Sequence, residues 1–155
     1  MNIKMKYIKY LLKGINPKNF YYISSLSIKD YFKNYGHVHS NEVHIRAAME
    51  WLCYAQKQNK DGGVSALYSL FDGWAPSYIE TTGYIIPTFF NYAELSKKPI
   101  YREKAIEMAE FELKNQFSSG AFPGAAPKNI PVVFNTGQVI FGLCKAYEET
   151  KNKRY

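Results

Sequence analysis

This 155-residue chain repeats itself, and the repeat limits what it can fold into more than any other feature. Laying Thr82–Tyr101 on Thr136–Tyr155 pairs Thr82 with Thr136, Gly83 with Gly137, Ile86 with Ile140, Glu94 with Glu148, Lys97 with Lys151 and Tyr101 with Tyr155. A second match sets Gln58 to Val64 on Gln116 to Phe122, with Gly62 against Gly120. Each copy reads as a helix ending in Gln, a Gly-containing turn, a loop, and a Thr-Gly pair opening a second helix. Periodicity on this scale marks stacked supersecondary units that bury their apolar faces against one another. The shared residues have structural uses: Thr caps orphan amides, Gly permits positive φ or close approach, and Gln bonds the end of a neighbouring helix.

Apolar spacing supplies the helices. Ser27 followed by Asp30 has the form of a capping box for a short helix to about Tyr35, closed by Gly36. After Ser40 and Asn41, the residues Val43, Ala47, Ala48, Trp51, Leu52 and Ala55 recur at helical intervals up to Gln58. Further helices are expected from Thr82 to Ser96, from Tyr101 to Phe117 and from Thr136 to Thr150, with Pro87 kinking the first or lying in its first turn. No stretch alternates with a two-residue period, so no substantial sheet is expected. The chain thus reads as all-α: one domain, 1–155, forming a partial α/α toroid of helical hairpins with repeats at about 41–96 and 101–150. The last helix carries Val139, Ile140, Leu143, Cys144 and Tyr147 as a packing stripe with no polar capping repeat after it. Self-association, or a second chain completing the ring, is the expected consequence.

Charge and composition narrow the partners. The net charge is +7, but Lys4, Lys6, Lys9, Lys13 and Lys18 all precede the first acidic residue. The remainder is nearly balanced and carries no nucleic-acid motif, so nucleic acid is not an expected partner. Met1 to Gly14 sets Ile3, Tyr7, Ile8, Leu11 and Leu12 at helical spacing among these lysines, as in a basic amphipathic helix. It is too short and too lysine-interrupted for a membrane span or a signal peptide, so a cytoplasmic location is expected. Packing on the protein and peripheral contact with acidic lipid both remain open for it. Cys53 and Cys144 fall on apolar helix faces and are expected to be buried thiols. His37, His39 and His44 gather near Glu42 without the fixed spacing of a metal site. Phosphate-binding glycine loops, nucleophile elbows and dinucleotide fingerprints are missing, so neither metal nor cofactor is expected.

The motif Gln116-x-x-x-Gly120-x-Phe122 resembles the QW repeat of terpenoid cyclases, which are α/α toroids. The aspartates Asp30, Asp61 and Asp72 form no acidic cluster of the sort those cyclases use, so the likeness concerns fold and not chemistry. A closer resemblance is to bacterial proteins encoded with exopolysaccharide glycosyltransferases, the group of polysaccharide biosynthesis protein VpsJ. It is carried by Ala47-Ala-Met-Glu-Trp-Leu, Asp61-Gly-Gly-Val-Ser, Gly73-Trp, Glu80-Thr-Thr-Gly-Tyr-Ile-Ile-Pro-Thr, Gly120-Ala-Phe-Pro-Gly and Val133-Phe-Asn-Thr-Gly-Gln-Val-Ile. The resemblance implies a six-hairpin, glycosidase-like toroid concerned with surface polysaccharide. Members of such toroids are longer, so a truncated copy is expected.

Residues shared by the repeats serve the architecture, so function is sought where the repeats differ. Glu80 stands opposite Phe134, Thr81 opposite Asn135, and Tyr84 opposite Gln138. Glu80 is the candidate general acid or base toward a sugar, its alternative being a carboxylate that stabilises a helix N-terminus. Asp61 and Asp72 are the nearby acids able to complete a pair. Trp74 and Tyr78 are loop aromatics suited to stacking on sugar faces or to packing as a lid. With Tyr84, Asn135 and Gln138 they make the expected lining of a glycan cavity. Two functions follow: a carbohydrate-active enzyme, or a non-catalytic subunit that holds a glycan with the same residues.

Overall fold

The computed structural model of the chain describes residues 17–33, 36–69, 72–125 and 130–155. The expected helix over Met1 to Gly14, and the lipid contact considered for it, lie outside these residues. Among the described residues helices dominate: α1 (Pro17–Tyr31), α2 (Asn41–Lys57), α3 (Ile79–Ser96), α4 (Pro99–Asn115) and α5 (Val133–Thr150). Strands β1 (Tyr68–Ser69) and β2 (Gly73–Trp74) form a small antiparallel hairpin inside the α2–α3 loop. No described helix is long and apolar enough to cross a membrane.

The repeat is visible in the backbone. α4 follows α2 at the same offset at both ends (Asn41 to Pro99, Lys57 to Asn115), and α5 follows α3 likewise (Ile79 to Val133, Ser96 to Thr150). Lys97 and Lys151 end α3 and α5 in the left-handed region, both at φ 57°. Gly62 and Gly120 turn the chain after α2 and α4 at φ 93° and 85°, conformations that cost glycine nothing. The loops repeat their bonding too. Tyr78 and Val132 each donate their amide at 3.0 Å, to the carbonyls of Val64 and Phe122. Thr82 Oγ1 accepts from the Val64 amide at 2.9 Å, and Thr136 Oγ1 from the Phe122 amide at 3.0 Å. The threonines therefore pin the preceding loop to the helix instead of capping it.

Several boundaries differ from expectation. α3 and α5 begin at Ile79 and Val133, before their Thr-Gly pairs, because Tyr78 and Val132 precede them in extended conformation with no side-chain cap. α1 starts at Pro17 and runs through Ser27, so Ser27 caps nothing. Proline's fixed φ suits a first helical position, and Ser caps only where the backbone before it is non-helical. The stripe of α2 is only partly core: Met49 and Ala55 are buried, whereas Trp51, Ala47 and Ala48 are exposed. On α5 the stripe splits, since Val139 and Leu143 are buried but Ile140 and Tyr147 are exposed. Cys144 is exposed on that outer side and Cys53 half-buried; both are free thiols, so neither is the buried cysteine expected.

The core lies among α3, α4 and α5. Ile86, Phe89, Ala105, Met108, Val139 and Ala146 are fully buried there, with Phe122 inserted from the second loop. The α3–α5 approach is close enough to require glycine. A Cβ on Gly83 would stand 2.8 Å from the Val139 Cα, and one on Gly142 would run into the Gly83 carbonyl oxygen. That carbonyl is special: residue 87 is a proline inside α3 and has no amide to return to it. The helix continues through Pro87, and Gly142 covers the released oxygen with its own backbone. Gly137, the repeat partner of Gly83, faces open space. Gly142→Ala should therefore destabilise the fold by about 3 kcal/mol through overpacking, whereas Gly137→Ala should stabilise it by up to about 1 kcal/mol through helix propensity. Chemical denaturation of the two variants checks the pair; equal effects would mean the helices do not meet at Gly142.

Candidate functional site

The two helix-connecting loops meet the last turn of α4 around a groove of about 830 Å³. Leu67, Pro76, Tyr78, Phe111, Phe117 and Pro123 give it apolar and aromatic walls. Ser77, Thr81, Asn115 and Gln116 supply polar edges, and Asp61 and Lys114 are its charged members. Local bonds fix most of these groups. Asp61 Oδ1 accepts from the Gly63 amide at 2.9 Å and the Ser77 hydroxyl at 2.8 Å, bracing the turn after α2. Asn59 Nδ2 donates to the Ala75 carbonyl at 3.1 Å, holding the far side of the same loop. Gln116 Nε2 donates to the Gly120 carbonyl at 3.1 Å. In the first repeat that bond is made by Gln56, at 3.0 Å to Gly62, and Gln56 also reaches the Lys104 carbonyl at 3.1 Å. Gln58, the sequence counterpart of Gln116, instead turns back to the Tyr54 carbonyl at 2.8 Å.

The expected site residues divide. Tyr78 lines the groove. Asn135 is buried behind it, donating through Nδ2 to the Pro123 carbonyl at 3.0 Å and to Tyr78 Oη at 3.3 Å. It holds the tyrosine against the other loop and is a positioning residue. Glu80 sits half-buried in the first turn of α3, without a hydrogen bond or ion pair among the described residues, and does not line this groove. Nor do Tyr84, exposed on α3, or Gln138, half-buried on α5. Trp74 belongs elsewhere. Its ring packs 5.1 Å from Trp51, 5.6 Å from Tyr54 and 5.0 Å from Tyr68, forming an aromatic cluster that fastens the β-hairpin to α2. His39 and His44 meet edge to face at 6.0 Å. Among the described residues no three His, Cys, Asp or Glu side chains converge as metal ligands would.

Sequence reasoning missed two residues of the groove, Phe111 and Phe117, and one buried group beside them in α4. Phe111 and Phe117 read as helix-end residues, and nothing in their spacing signals that the second loop folds over them. The buried group is Glu112. It lies in the last turn of α4, fully buried, with neither carboxylate oxygen hydrogen-bonded among the described residues. Burial pushes its carboxyl up to about 9, so it is held protonated at neutral pH. No protein-family model, curated protein or solved structure matches the chain, and the function of the groove has to be argued from its geometry.

The sign of the Glu112 effect is definite. Below the ordinary carboxyl value of 4.5 both folded and unfolded chains carry the proton, and burial of the neutral acid sets no pH slope. Above it the unfolded chain ionises while the folded one does not, so stability falls as pH rises, until about 9. Glu112→Gln should remove that slope and stabilise the chain at pH 7 by about 3 kcal/mol. Denaturation curves taken across pH 5 to about 9 test it; an unchanged slope would place the burden on another group.

Proposed function

We propose that this chain binds a glycan in the groove between its loops, without turning it over, in the making of surface or extracellular polysaccharide. The observation carrying this reading is the make-up of the groove. Rings of Tyr78 and Phe117 offer flat apolar surfaces to sugar faces over the buried Phe111, polar side chains stand at its edges, and its one carboxylate, Asp61, is already committed to Gly63 and Ser77. Glycoside hydrolysis normally takes two carboxyl groups flanking the bond, and an acid fixed in a structural turn is a poor member of such a pair. We read the two matched repeats, α2–α3 and α4–α5, as units of a partial α/α toroid, in keeping with the resemblance to exopolysaccharide-cluster proteins. A panel of oligosaccharides titrated calorimetrically tests the reading. Phe117→Ala should weaken binding about tenfold, the loss of one stacking surface. Failure of every oligosaccharide to bind would overturn it. Glu80, half-buried without a partner, keeps an enzymatic reading alive; turnover that Glu80→Gln abolishes would establish that reading instead.

We also propose that a second copy of the chain covers the outer face of α5. α3 buries Ile79, Ile86, Pro87 and Phe90, while the repeat counterparts on α5, Val133, Ile140, Phe141 and Cys144, are all exposed. Gly137 is open where Gly83 receives Val139. α5 thus turns outward the kind of surface with which α3 receives its neighbour, and an apolar face of that extent favours association. Light scattering should find a dimer or larger species at micromolar concentration, reduced to monomer by Phe141→Glu. A monodisperse wild-type monomer would refute the contact.

A further inference from the structure

A second groove adjoins the first at its charged members. Asp61 and Lys114 line both, the second being a groove of about 610 Å³ between the end of α2 and the flank of α4. Lys57, Lys60, Lys104 and Lys114 all border this second groove. Its acids are already engaged. Glu110 takes two hydrogen bonds from Arg154, at 2.9 and 3.2 Å, and one from the Tyr155 hydroxyl at 2.8 Å. Asp61 braces its turn, and Glu107 stands 3.8 Å from Lys104 Nζ while accepting from Gln56 Nε2 at 3.3 Å. Lys57, Lys60 and Lys114 have no ion-pairing carboxylate among the described residues.

Helix ends attract lysine without any ligand, and Lys57 and Lys114 close α2 and α4. That accounts for two of the four. Lys60 lies beyond α2 in the turn, and Lys104 lies inside α4, buried, its Nζ 3.3 Å from Gln56 Oε1. The repeat is informative as well. At the offset relating α2 to α4, Lys57 corresponds to Asn115, Lys60 to Ser118 and Lys114 to Gln56. These lysines are therefore no part of what the two repeats share, and the architecture does not call for them.

We infer that the ligand of the joined grooves is an acidic glycan, a uronate- or phosphate-bearing oligosaccharide whose sugar faces rest on Tyr78 and Phe117 and whose anionic groups reach Lys114, Lys60 and Lys57. This rests on the glycan-binding reading and adds the charge of the ligand to it. The test titrates the full chain with oligomers of galacturonate, mannuronate and hyaluronan, with neutral oligomers of matched length, and with inorganic phosphate. At least one acidic oligomer should bind about tenfold or more tighter than every neutral one, and lose that advantage at high salt. The variant Lys57→Gln/Lys60→Gln, altering two exposed side chains, should abolish the preference while leaving neutral binding and the melting temperature unchanged. Equal binding of acidic and neutral oligomers would overturn the inference and leave the glycan reading standing. An acidic preference that survives the double substitution would overturn the assignment to these lysines. Phosphate binding as tight as the best oligomer would reduce the site to a simple anion sink, and no oligosaccharide binding at all would remove both readings.

Discussion

The contact between the Gly142 backbone and the Gly83 carbonyl sets the spacing on which the rest of the molecule depends. Pro87 deprives that carbonyl of its helical donor, and a buried carbonyl without company is costly. Only a residue lacking Cβ can come near enough to cover it, and only if the facing helix is also bare, which Gly83 provides. The two starts of α3 and α5 are thereby brought side by side. Asn135 can then reach across to Tyr78 at 3.3 Å and to Pro123 at 3.0 Å. The loops that precede the two helices lie together, and the space they fail to fill is the groove.

Buried Ala105, Met108 and Ala109 fix α4 against this pair, and an ion pair orients it. Arg102, from its first turn, donates to Glu149 Oε2 at 2.8 Å and lies 5.4 Å from the Phe90 ring, linking all three core helices. Hydrogen bonds from Lys145 and Arg102 hold the Glu149 carboxyl below its ordinary range. The pair is partly exposed, so its worth is small and lies more in orientation than in stability. Tyr155 does similar work lower down, packing on the core with its hydroxyl on Glu110. Burial first, and that hydrogen bond second, push the phenol up to about 12, so it remains a donor throughout the neutral range. Glu112 runs against this order. Its side chain fills core volume, but a buried carboxyl without a hydrogen-bond partner among the described residues is a cost the fold carries.

How much of this was legible in the sequence follows from how local each cause is. Helix content and the two repeat offsets were readable, because apolar spacing and the Gly62/Gly120 turns are properties of short segments. The meaning of the Thr-Gly pairs was not. Thr82 and Thr136 look like caps on paper, yet their hydroxyls serve amides 18 and 14 residues back, a link that exists only once the loop has closed. Gly83 and Gly137 are indistinguishable in sequence and differ entirely in surroundings, one against Val139 and one against nothing. Trp51 read as core because its spacing fits α2's stripe, but that face of α2 meets the β-hairpin ring of Trp74 in place of another helix. In the candidate site the structure puts Tyr78 and Asn135, both named from the sequence as cavity lining, 3.3 Å apart, with Tyr78 on the groove and Asn135 behind it. The groove's other aromatic wall was invisible, because Phe111 and Phe117 are brought to it by a loop conformation with no periodic signature.

The repeats differ chemically beyond the helix entrances, at the turns that follow α2 and α4. A residue that makes the same bond in both repeats is spoken for: Thr82 and Thr136 on their loops, Gly62 and Gly120 in their turns, Gln56 and Gln116 on the following glycine carbonyl. In the last pair the bond recurs in both repeats although the glutamine supplying it has moved by two positions. It frees the Gln58 site to turn back on its own helix and leaves Lys57 and Lys60 on either side of it without a repeat-wide duty. The same shift carries Gln56 to the Lys104 carbonyl and ammonium, tying α2 to α4 beneath those lysines. A small slippage in one structural bond thus separates the repeats chemically: one has a braced, basic rim around Asp61, the other the uncharged turn after Gln116. Asymmetry of that kind between otherwise matched units gives the groove two chemically distinct ends, one basic and one uncharged.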